Sequence, residues 1–101
     1  MIRGTTPTIT LELDADLSDW VVYVTMKGIG GTVEISGDRL EYGESDGGYT
    51  VTYGLTQRET LKLKPGKCEV QIRAVKDGTA VATDIAKLDV GRILKEGVIN
   101  G

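Results

Sequence analysis

Val70-Gln71-Ile72-Arg73-Ala74-Val75-Lys76-Asp77-Gly78-Thr79-Ala80-Val81 is the stretch from which the fold can be read. Val70, Ile72 and Ala74 alternate with Gln71 and Arg73, the period of a strand with one buried face. Asp77-Gly78 then supplies the two residues that tolerate the positive φ of a type I′ hairpin turn. Such a turn fixes the pairing. It sets Ala74 opposite Val81, Ile72 opposite Thr83 and Val70 opposite Ile85, and a slip of one residue would turn every core side chain outward. Carried further, the same register places Lys87 inward, while Leu88 and Val90 have the opposite parity to Ile85. The sequence therefore predicts a β-bulge near Ala86 and Lys87.

Working outward from this hairpin, other short alternating runs obey the same rule. Cys68 extends the inner face of the hairpin's first strand. Ile9, Leu11 and Leu13 share one face, as do Trp20, Val22, Val24 and Met26, and Tyr49, Val51 and Tyr53, continued by Leu55. A turn at Gly37-Asp38 would set Ile35 opposite Leu40 and Val33 opposite Tyr42, leaving Glu34 and Glu41 on the other face. Thr56-Gln57-Arg58-Glu59 has the form of a capping box, and Pro65-Gly66 limits the capped helix to about one turn. The expected fold is all-β: an immunoglobulin-like antiparallel β-sandwich of six or seven strands, with one short helical turn near residues 56–60 and Trp20 between the sheets. Residues 1–101 form a single domain, with residues 91–101 as a C-terminal interaction arm.

Composition agrees with many short strands joined by tight turns. Val, Ile and Thr account for 30 of the 101 residues and Ala for only five, and the 14 glycines are scattered between the alternating runs. A formal charge of -3 without a clustered basic face argues against nucleic acid as a partner. The apolar run around Val21–Val24 falls far short of the roughly 20 residues that span a bilayer, so no membrane partner and a cytosolic location are expected. The single cysteine, Cys68, rules out an internal disulfide and leaves stability to packing.

The residues that carry chemistry are sparse. There is no histidine, the commonest general base and metal ligand. Cys68 falls on the predicted core face, where a thiol is a small apolar group. Asp14, Asp16 and Asp19 have the early spacing of a calcium loop, but the glycine at its sixth position is missing and Thr25 stands where its final glutamate belongs. They read as a weak metal candidate beside the plainer reading of a solvated acidic turn. Gly28-Ile29-Gly30-Gly31 precedes a strand rather than a helix and so reads as an inter-strand loop, not a phosphate cradle. Glu41, Glu44 and Asp46 read as surface charges of β-hairpins. Tyr23 is the one clearly outward aromatic. The chain is read as a non-enzyme that needs no cofactor. The segment Arg92-Ile93-Leu94-Lys95-Glu96-Gly97-Val98-Ile99 stands out, because its two apolar pairs need cover. Ile93, Leu94, Val98 and Ile99 either fold back on their own domain or form the interaction site.

Arg3-Gly4-Thr5-Thr6-Pro7-Thr8, Leu55-Thr56-Gln57-Arg58-Glu59-Thr60-Leu61, Glu69 to Ala74 with Asp77-Gly78, and Val90-Gly91-Arg92-Ile93-Leu94 together resemble small structural proteins of tailed bacteriophages and prophages. The run from Pro65-Gly66 into the Asp-Gly hairpin is also similar to immunoglobulin-like domains at the N-termini of phage baseplate proteins. The resemblance covers about half the chain and is weakest between Leu13 and Gly48. It implies a virion structural or assembly protein that contacts itself or other virion proteins, first in the bacterial host cytoplasm and then in the particle. It carries over no catalytic residue. The alternative is a recognition module for a host surface glycan or protein.

Overall fold

The computed structural model describes residues 1–101. Strands β1 (Thr8–Leu13), β2 (Val21–Gly28), β3 (Gly31–Ser36), β4 (Glu41–Ser45) and β5 (Gly48–Gly54) come first. A five-residue helix α1 (Gln57–Leu61) then leads to β6 (Gly66–Lys76), β7 (Thr79–Ala82) and β8 (Ala86–Val90). Two antiparallel sheets result, one in the order β1-β5-β4 and the other in the order β3-β2-β6, with β7 and β8 both pairing the outer side of β6. These orders correspond to B-E-D and C′-C-F-G of an immunoglobulin-type sandwich, with β7 and β8 as two halves of the last strand.

The Asp-Gly hairpin has the predicted geometry. Asp77 and Gly78 adopt φ of 50° and 81°, and Ala74 pairs with Val81. Thr83 still faces Ile72, donating its N–H to the Ile72 carbonyl at 2.9 Å while its Oγ1 accepts from the Ile72 N–H at 3.1 Å. The register then shifts by one, because Val70 faces Ala86 and not Ile85. Gln71 alone stands opposite Asp84 and Ile85, and its side-chain amide donates to the Thr83 carbonyl at 2.9 Å. The expected bulge is thus present about two residues earlier than predicted. Its effect on parity is the one the sequence requires: Ile85 and Lys87 lie outside, Leu88 is half-buried and Val90 is buried.

The hairpin expected at Gly37-Asp38 does not form. β3 pairs with β2, and β4 pairs with β5 in the other sheet, so a 3-10 turn at Gly37–Arg39 carries the chain across the sandwich. Ile35 therefore faces Val24, and Tyr42 faces Val51. Ile35 and Leu40 are buried as expected, but Ile35 lies in β3 and Leu40 in the connection that leads into β4, so the two are not a cross-strand pair. Alternation cannot separate the two arrangements, since both turn the same side chains inward.

One core joins the sheets. Val24 sits between Ile35 and Ile72, and Met26 between Val33 and Val70, giving two apolar rows across the larger sheet. Across from them Tyr53 is buried and its hydroxyl reaches the Met26 sulfur at 3.5 Å. Burial pushes the Tyr53 hydroxyl pKa up, and the nearby Cys68 adds to the shift. Leu17, Leu40, Leu55 and Leu63 close the core from the connecting segments. Trp20 is not the central residue the sequence suggests. Its N–H donates to the Leu17 carbonyl at 2.9 Å in the turn before β2, which leaves the indole half-buried at the end of the sandwich while Leu17 turns inward.

Leu63→Ala should lower unfolding free energy in urea by about 2–5 kcal/mol, as expected for an aliphatic side chain with no exposed surface. Trp20→Ala should cost less than Leu63→Ala. The reverse order would place Trp20 back in the centre of the core.

Candidate interaction site

At the end of the sandwich where α1 lies, segments distant in sequence are tied together by polar groups. Thr56 caps α1 through the predicted box: its Oγ1 accepts from the Glu59 N–H at 3.2 Å, and the Glu59 carboxylate accepts from the Thr56 N–H at 2.9 Å. Glu59 also receives both terminal nitrogens of Arg39, each at 2.6 Å, which fastens the 3-10 turn to the helix. The Arg39 guanidinium, with the Thr56 backbone N–H, holds the Glu59 carboxyl at a pKa of about 2. Thr60 is fully buried and satisfied, since its Oγ1 accepts from the Gly4 N–H at 2.9 Å and donates to the Thr5 carbonyl at 2.9 Å.

Arg3 extends this knot. Its Nη2 donates to the Leu61 carbonyl at 2.8 Å and its Nε to the Leu63 carbonyl at 3.2 Å, which satisfies acceptors left free where α1 ends. Its third nitrogen pairs with Glu96. Next to it, Gly4 has φ +77°, and a Cβ there would stand 2.8 Å from Ile93 Cδ1. Glycine is needed both for the backbone turn and for the approach of Ile93.

The segment after β8 is laid along this end without forming a strand. Ile2 and Gly91 form a parallel bridge, and the Gln57 side chain clasps Ile99 at two points: Nε2 donates to the Ile99 carbonyl at 3.0 Å and Oε1 accepts from its N–H at 2.9 Å. The four predicted interaction residues divide. Ile93 is half-buried beside Gly4, whereas Leu94 is 90% exposed, Ile99 55% and Val98 40%. The backbone is held to the fold, but three apolar side chains are turned to solvent.

The chemical candidates are spread over several places, with Asp14 bordering one surface opening and Asp16 and Glu44 another. Cys68 is buried, and loss of solvent raises its thiol pKa, helped by Glu69. No group of three or more Cys, Asp or Glu side chains is placed to hold a metal ion. Of Asp14, Asp16 and Asp19, Asp16 closes a turn by accepting the Ser18 N–H at 3.0 Å, and that bond lowers its carboxyl pKa. Gly28 and Gly31 pair across a two-residue turn between β2 and β3, so the glycines serve a hairpin. Glu41 and Glu44 stand exposed on β4, Asp46 in the turn after it, and Tyr23 on the outer face of β2. Sequence reading misses Arg3, Arg39 and Gln57, whose partners lie 58–93, 15–20 and 42 residues away and leave no local pattern. No helix is long and apolar enough to cross a membrane. No protein-family model matches the chain. A search of curated proteins finds no match.

Because its carboxyl pKa is depressed below the ordinary 4.5, Glu59 stabilises the fold fully only above that value. Stability should therefore fall as pH drops from about 5 toward 2, and Glu59→Gln should flatten that part of the melting-temperature profile. An unchanged slope would mean that the Arg39–Glu59 pair does not hold the helix.

Proposed function

We propose that this protein is a non-enzymatic structural or assembly component of a tailed-phage or prophage virion, acting through protein–protein contacts. The observation that carries this reading is the exposed apolar set Leu94, Val98 and Ile99 on a segment held by Gln57 through the Ile99 backbone and by Arg3 through the Glu96 side chain. Solvent-facing leucine, valine and isoleucine held at the end of a small domain are a ready surface for another protein. The resemblance to phage structural proteins supports the reading from a second side. Three of the stretches that carry it, Arg3–Thr8, Leu55–Leu61 and Val90–Leu94, meet at this same end. Cys68 is buried, and the carboxylates that border surface openings have no histidine or thiol beside them, so the features that stand out are surfaces rather than a reaction centre.

Particles purified after induction of the prophage that carries the gene should contain the protein at fixed stoichiometry, as measured by quantitative mass spectrometry. Its absence from particles would overturn the virion reading.

A further inference from the structure

On the side away from β3 and β4, the two sheets end in strands with unpaired edges: β1 in one, β7 and β8 in the other. Between them lies an opening of about 510 Å³ with Ile72 and Ala74 at its base and Leu13 and Val81 at its sides. A second opening of about 160 Å³ continues it to Leu11 and Ala86, and the two share Glu12, Ile72, Thr83 and Asp84. Val81 pairs with core-facing Ala74 yet is 44% exposed, so an inward valine has nothing over it. In the A-B-E-D order of an immunoglobulin-type sheet, a further strand pairs beside the one that corresponds to β1. Here that edge is free.

The charge of the groove identifies its occupant. Glu12, Asp14 and Asp84 border it, and neither opening is lined by a lysine or arginine. The segment after β8 is apolar and carries Arg92 and Lys95 against a single Glu96. It leaves the fold beside Gly66, whereas the groove centres on Ile72 and Ala74, six to eight residues along β6 and so roughly 20–26 Å away. Each copy therefore presents arm and groove at different ends of the same strand.

Resting on the reading of the protein as an assembly component, we propose that the segment Arg92–Ile99 of one copy docks in the lateral groove of a second copy. It pairs along the free edge of β1, covers Leu13 and Val81 with its apolar side chains, and sets Arg92 and Lys95 against Glu12, Asp14 and Asp84. Docking releases the Gln57 clasp and the Arg3–Glu96 pair, which are exposed, and lifts the half-buried Ile93 from beside Gly4. Since arm and groove are different surfaces, the contact is head-to-tail and propagates into a ring or filament.

Light scattering after gel filtration tests this on three chains: the full chain, one ending at Arg92, and full-length Val81→Arg. The full chain should associate with rising concentration and each variant alone should be monomeric. Mixed in equal amounts, the variants should form a 1:1 dimer, one supplying the arm and the other the groove. A full chain that is monomeric at every concentration overturns the proposal. Loss of association on truncation but not in Val81→Arg also overturns it, by placing the arm elsewhere. Asp84→Lys, an exposed change away from the core, should weaken association of the full chain, and no effect there counts against the groove. The virion reading fails separately, by absence of the protein from particles.

Discussion

Everything on the larger sheet depends on β6, which is paired along both sides. One side runs in a single register with β2, from Val21 opposite Val75 to Lys27 opposite Glu69. The other must accommodate a chain whose apolar residues change parity after Thr83. Leu88 and Val90 reach the core only if one extra residue is absorbed before them, and Gln71 opposite Asp84 and Ile85 absorbs it. A bulge raises local twist and ends regular pairing. Here it divides the last strand into β7 and β8 beside the lateral groove, with Asp84 on the groove's border.

The opposite constraint operates at the α1 end. With its one cysteine free and buried, the chain has no disulfide to close the sandwich there, and backbone acceptors and side-chain donors close it instead. Arg3, Thr60, Glu59 and Gln57 each bind groups far away in sequence, and no buried side-chain nitrogen or oxygen is left without a partner. The segment Arg92–Ile99 is fixed by this network through its backbone and Glu96, which leaves Leu94, Val98 and Ile99 outward. A clasped arm at one end and an uncovered edge at the other are the two surfaces that the proposed head-to-tail contact would join.

The range of each interaction decides whether the sequence reveals it. The Asp-Gly hairpin, the inner faces of β2, β5 and β6, the capping box and the need for a bulge are all local, and each is legible because period two or a turn type admits one answer. The crossover at Gly37–Arg39 is not, because Val33, Ile35, Leu40 and Tyr42 point inward whether β3 pairs with β4 or with β2. Trp20 misleads for a similar reason: its parity matches Val22, but its turn bond to Leu17 keeps it out of the strand, which begins only at Val21. The apolar arm is visible in the sequence. Its clasp by Gln57 and the groove between β1 and β7 depend on tertiary placement alone.

The change of register along β6 can be measured in solution from cross-strand proton contacts by nuclear Overhauser spectroscopy. Ile72 should lie opposite Thr83 while Val70 lies opposite Ala86. An unbroken register with Val70 opposite Ile85 would refute the bulge, because Leu88 and Val90 would then face solvent and the groove would lose the edge that defines it.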